Sequence, residues 1–155
     1  MAFTGNDQVW MNGSLVAWKD ATVHAATHAL HYGTGIFEGI RAYKTKDGSA
    51  VYRLPEHMRR LYDSCRVYRM EPQWSCHELS SAVLETVRVN GYESCYIRPL
   101  VYRGLDTLGL DPRPCPVDVS ILVWEWAAMY GAEGLSQGID VAVSSWNRLA
   151  PNTLP

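Results

Sequence analysis

The chain has 155 residues, 47% of them hydrophobic and 19% charged, with a formal net charge of −2. That balance excludes a disordered tail, which lacks the apolar residues for a core, and a strongly basic binder of nucleic acid or anionic membrane. No run of about 18 apolar residues offers a membrane span, and the start Met1-Ala2-Phe3-Thr4-Gly5-Asn6-Asp7 lacks the basic head and apolar run of a signal peptide.

In chain order, Val9-Trp10-Met11, Asn12-Gly13 and Ser14-Leu15-Val16 read as a tight hairpin, because Asn-Gly suits the positive φ angles of a type I′ turn. Phe37 to Lys44, then Asp47-Gly48, then Ala50 to Leu54 read as a second hairpin with a longer loop. Pro55 opens a helix, since its missing N–H would have no partner at that end. Met58, Leu61, Tyr62, Cys65 and Tyr68 form its expected apolar stripe, with Arg59, Arg60, Asp63 and Arg66 off it. Ser75-Cys76-His77-Glu78 is a capping box that starts a second helix. Leu79, Ala82, Val83, Thr86 and Val87 are its buried face, and Asn90-Gly91 its stop. Cys95 to Tyr102 and Val117 to Trp124 are apolar, β-branched and aromatic runs, hence strands. The long Gly- and Pro-rich loop between them, Arg103 to Pro116, points to use rather than mere connection. Strands in hairpins and helices in one block predict an α+β fold with a mostly antiparallel sheet and two main helices.

The tail reads differently. The polar, glycine-containing stretch Gly131 to Gly138 suits an interdomain linker, and Ile139 to Val143 alternates like a strand. The expected division is a small domain over 1–125, a linker over 126–138, and the start of a second domain over 139–155, cut short.

Several residue groups carry candidate chemistry. His24, His28 and His31 would share a face of one helix, an arrangement open to zinc but equally to capping and packing; no metal is expected. Gly33-Thr34-Gly35-Ile36-Phe37-Glu38-Gly39 has the wrong spacing and the wrong following element for a dinucleotide fingerprint, so its glycines are read as turn formers. Arg60 is either a solvated surface group or a planar fork for phosphate. Tyr96 and Arg98 share one face of a strand, as a carboxylate-binding pair or as an edge facing water. Cys65, Cys76, Cys95 and Cys115 form no C-x-x-C pair and are expected to be reduced thiols of a cytoplasmic protein. Three lysines, Lys19, Lys44 and Lys46, stand against eleven arginines.

Taken together, the segments His28 to Arg41, Glu56-His57-Met58-Arg59-Arg60-Leu61, Tyr96-Ile97-Arg98-Pro99-Leu100 and Ser144-Ser145-Trp146-Asn147-Arg148 resemble the branched-chain amino-acid aminotransferases. These are class IV, pyridoxal-phosphate-dependent enzymes of fold type IV. The resemblance runs in order from about Val9 to Pro155. It implies the small N-terminal α+β domain of such an enzyme, joined by a linker to a larger domain, with the active site between them and completed by a homodimer or higher homo-oligomer. It implies pyridoxal 5′-phosphate as cofactor, and branched-chain amino acids and 2-oxo acids as substrates. The cofactor's lysine would follow the Ala150-Pro151-Asn152 segment, past Pro155, so the chain by itself is expected to be inactive.

Residue by residue, the resemblance implies that Arg60 meets the cofactor phosphate and Tyr96 lies near the substrate α-carboxylate. Arg98 would accept the side-chain carboxylate of glutamate. Phe37 and Gly39 would line the pocket, with Trp126 a further wall, and Tyr32, Leu108 and Leu110 would reach the neighbouring subunit's pocket. One departure stands out: relatives often carry a tyrosine where this chain has Met129, followed by Tyr130. The rival readings are another class IV member (a D-amino-acid aminotransferase or an aminodeoxychorismate lyase) and a non-catalytic domain for dimerisation or anion binding.

Overall fold

A computed structural model describes residues 7–125, 131–147 and 150. Its strands are β1 (Gln8–Met11), β2 (Ser14–Ala17), β3 (Gly35–Phe37), β4 (Ile40–Thr45), β5 (Gly48–Val51), β6 (Cys95–Arg103) and β7 (Val117–Trp124). They form one sheet in the order β2-β1-β7-β6-β4-β5, with β3 also on β6, and every pairing is antiparallel. The helices are α1 (His28–Tyr32), α2 (Leu54–Val67), α3 (Cys76–Asn90) and α4 (Gly131–Gln137). This is the expected α+β architecture, with α2 and α3 as its two main helices.

Local chemistry explains the elements. Asn12 and Gly13 both have positive φ, 47° and 100°, and turn β1 into β2. The Asn12 side chain then ties this hairpin to β7, donating to Asp118 at 3.0 Å and accepting from the Val119 N–H at 2.8 Å. Pro55 lies in the first turn of α2, where no N–H is needed. The capping box of α3 is complete: Ser75 Oγ accepts from the Glu78 N–H at 3.2 Å, and Glu78 Oε2 accepts from the Ser75 N–H at 2.7 Å. Gly91 ends α3 at φ 69°.

Side chains alternate across β6 and β7, giving the sheet two unlike faces. Ile97, Val101, Val119, Ile121 and Val123 point to one face and pack against Met58 and Leu61 of α2 and Leu79, Val83 and Val87 of α3. All are buried, each contributing roughly 1.5–3 kcal/mol by leaving water. Phe37, Tyr96, Arg98, Leu100 and Leu122 belong to the opposite face, which α2 and α3 leave open. There α1 and the segment before it border an apolar groove of about 360 Å³, lined by Val9, Leu30, Phe37, Leu100 and Leu122 among others.

Three expectations need correction. Tyr68 does not join the α2 stripe: it is the C-cap residue, one step past the last turn, and is exposed. The three histidines do not share a helix face, because α1 begins only at His28. His24 instead accepts from the Ala26 N–H in the preceding turn. The run Ile139 to Val143 is not a strand, since no described strand pairs with it, and an unpaired segment has no ladder to define it. Apart from these, Gly131–Gln137, within the stretch read as a linker, forms the short helix α4, with Gly131 at φ 72° and Gly138 just past it at φ 84°.

Candidate active site

A break in one strand creates the site. Phe37 of β3 pairs with Leu100, and Ile40 of β4 pairs with Ile97, so both strands keep one register on β6. Between them, Glu38 donates its N–H to the Pro99 carbonyl at 3.1 Å, but Pro99 has no N–H to return the bond. The ladder therefore lapses at Glu38-Gly39, next to Arg98. The two residues of the gap serve opposite faces of the sheet: Gly39 meets Tyr96 on the open face, and Glu38 meets α2 on the other.

On the open face, Tyr96, Arg98 and Phe37 lie together. Arg98 Nη2 donates to Tyr96 Oη at 3.0 Å. The guanidinium carbon lies 4.2 Å from the Phe37 ring centre, 5.1 Å from that of Tyr96 and 5.7 Å from that of Trp124. Trp124 also packs against Tyr96, with ring centres 4.7 Å apart. These π faces hold the cation, with no carboxylate pairing it among the described residues. Arg98 Nε is buried, with no hydrogen-bond partner among the described residues. Gly39 is required where it sits: a Cβ there would lie 2.2 Å from Tyr96 Oη.

Across the gap, Arg60 is neither simply solvated nor isolated. Its Nε and Nη2 donate to the two oxygens of Glu38 at 2.5 and 2.6 Å, and His57 Nδ1 lies 2.9 Å from Glu38 Oε2. A carboxylate only accepts, so Nδ1 of His57 carries the proton of that bond. Burial pushes the Glu38 carboxyl pKa up, but the bonds and charges of Arg60 and His57 outweigh it and hold the group below its usual value. Arg53, Glu56, His57 and Arg60 line a surface cavity of about 270 Å³ beside this cluster.

Tyr32, Leu108 and Leu110 form a separate group. Tyr32 Oη donates to the Leu108 carbonyl at 2.7 Å, and His28 Nε2 donates to the Gly109 carbonyl at 3.1 Å, so α1 fastens the tip of the 104–116 loop. His28 is itself buried, with Nδ1 2.9 Å from Thr34 Oγ1. Leu108 and Leu110 are nonetheless exposed, Leu110 at 84%. Trp126 and the Met129–Tyr130 pair lie outside the described residues.

Sequence reasoning missed Glu38, His57 and Trp124. An acidic residue between Phe37 and Gly39, within a strand-like run, was the available signal, because a buried carboxylate demands a partner. The identity of that partner, 22 positions later, was not readable from spacing.

Comparisons with known proteins identify the family. The family model described as amino-transferase class IV matches residues 35–155. The branched-chain-amino-acid aminotransferase of Salmonella typhimurium is 51% identical over 150 residues, covering 96% of this chain and 48% of that protein. The crystal structure of the Escherichia coli branched-chain amino acid aminotransferase superposes with a TM-score of 0.91 at 49% identity, covering 97% of this chain and 50% of that one. The T.th. branched-chain amino acid aminotransferase with pyridoxamine 5′-phosphate gives a TM-score of 0.87 at 45% identity, covering 97% of this chain and 49% of that one. The chain thus spans about half the length of the relatives it matches. With more than half of its residues under the family model, and with the open-face cluster formed by the same segments, this chain belongs to the class IV aminotransferases.

Proposed function

We propose that this chain is the N-terminal part of a branched-chain amino-acid aminotransferase, which moves an amino group reversibly between leucine, isoleucine or valine and 2-oxoglutarate. The observation that carries this reading is Arg98, set among the rings of Phe37, Tyr96 and Trp124 with no carboxylate pairing it among the described residues. One pocket must accept a branched aliphatic group in one half-reaction and a carboxylate in the other. Aromatic walls serve the first. A cation stabilised by π faces can wait without an anion and then bind the glutamate side chain through its donors. Tyr96 would steer the substrate α-carboxylate, and Gly39 keeps room for its hydroxyl.

The residues present fit a phosphorylated cofactor. Arg60 has given only its Nε–Nη2 edge to Glu38, so its outer edge suits a phosphate, beside a cavity shared with His57. Pyridoxal 5′-phosphate, when bound, supplies the electron sink for amino transfer. Arg60 would hold its phosphate, while Phe37, Gly39 and Trp126 would wall the substrate and help to exclude water. Tyr32, Leu108 and Leu110 would enter the pocket of a second subunit, making the enzyme a cytoplasmic homodimer or larger homo-oligomer. The domain division, small domain to residue 125 and linker over 126–138, belongs to the same proposal. Among the described residues no helix is long and apolar enough to cross a membrane.

The test is the Arg98→Gln variant of the full-length natural protein. KM for glutamate should rise about tenfold or more, while KM for leucine stays within about twofold. Equal changes for both substrates would contradict the assignment.

A further inference from the structure

Glu38 is only 5% exposed, and a buried carboxylate is costly unless its oxygens are fully engaged. Here they accept three bonds, two from Arg60 and one from His57. A guanidinium presents two donor forks, the Nε–Nη edge and the Nη1–Nη2 edge. Glu38 occupies the first. No protein bond to Nη1 of Arg60 is seen among the described residues, and the Arg60 side chain is 66% exposed. The neighbouring acid does not compete for that second fork, because Glu56 is taken by Arg53 at 2.9 and 3.2 Å.

We infer that Glu38 is a positioning residue: it fixes the plane of the Arg60 guanidinium and the Nδ1 proton of His57, so that the Nη1–Nη2 edge meets a phosphate monoester already oriented. This rests on the reading that Arg60 holds the cofactor phosphate. An arginine on an exposed helix face otherwise samples many rotamers, and a ligand must immobilise it at its own expense. With Glu38 in place that ordering is done in the folded protein.

The inference has a sign that plain electrostatics lacks. Glu38 is an anion beside a site for an anion. If its charge alone mattered, removing the charge would tighten phosphate binding. If it positions Arg60, removal loosens binding in spite of the lost repulsion.

The experiment uses the full-length natural protein in cofactor-free form, titrated with pyridoxal 5′-phosphate and, separately, with unphosphorylated pyridoxal. Binding is followed by absorbance, independently of turnover. For Glu38→Gln, affinity for the phosphorylated compound should fall about tenfold while affinity for pyridoxal changes little. Glu38→Asp keeps the charge but shortens the reach, and should show a smaller loss of the same sign. It also serves if Glu38→Gln does not fold, which thermal unfolding will reveal. Arg60→Lys separates the two claims. If Arg60→Lys weakens phosphate-dependent binding while both Glu38 variants leave it unchanged or tighter, the positioning role is overturned and the Arg60 assignment stands. If Arg60→Lys has no phosphate-selective effect, the Arg60 assignment fails and the Glu38 role fails with it.

Discussion

Gly39 shows how much one missing methyl group can decide. A Cβ at this position would lie 2.2 Å from the Tyr96 hydroxyl oxygen and 3.1 Å from the ring carbon bearing it. Gly39→Ala should therefore displace Tyr96 and lower the melting temperature. Adding Tyr96→Phe, which deletes the clashing oxygen, should recover part of the loss; no recovery would place the clash elsewhere. The four cysteines should also differ in reactivity. Burial pushes the thiols of Cys65 and Cys95 up to about 11, whereas Cys76 is only partly buried. Alkylation of the native protein near pH 8, read by mass spectrometry, should label Cys76 well before Cys65 or Cys95. At this scale the sequence was informative where chemistry is local. Tyr96 and Arg98 two apart on a strand had to share a face. Arg60 was ambiguous alone, because the carboxylate that holds it comes from a distant strand gap.

At the scale of elements, caps and turns carry their own signatures. Asn12-Gly13, Pro55, the Ser75–Glu78 box and Gly91 all lie where local backbone chemistry puts them. Ser75→Ala removes the acceptor for the Glu78 N–H and should cost about 1 kcal/mol, measured by denaturant unfolding. The gap between β3 and β4 was hidden, since its cause is Pro99 on the facing strand, some 60 residues away in sequence. Apolar alternation over Ile139 to Val143 suggested a strand, but alternation offers only a face. A strand also needs a ladder, and none of the described strands supplies one.

Over the whole molecule, the two faces of the sheet divide the work. One face makes the core with α2 and α3, and the other gathers Phe37, Tyr96 and Arg98 beside the groove under α1. The same burial gives a pH dependence. Cys65 and Cys95 rise from an ordinary value of 9.0 to about 11, and Tyr92 and Tyr102 from 10.0 to about 12. Each is an acid kept neutral by the fold, so the unfolded chain ionises first. The stability they contribute is complete below pH 9 and declines as pH rises toward 11, and melting temperatures should fall across that window. On the acid side, the lowered Glu38 carboxyl contributes stability that is lost as pH falls through its folded value. The three lysines lie apart from this chemistry in role: Lys44 pairs with Glu93 at 2.8 Å on the surface, Lys46 sits in the β4–β5 turn, and Lys19 follows β2. The isolated 155-residue chain, mixed with pyridoxal 5′-phosphate and reduced with borohydride, should give no stoichiometric adduct on any of them.

The branched-chain assignment stands or falls on amino transfer by the full-length natural protein, with 2-oxoglutarate as acceptor and L-leucine or D-alanine as donor. Glutamate formed from L-leucine, and not from D-alanine, is the predicted result. Transfer from D-alanine without transfer from L-leucine, or none from either donor, would contradict it.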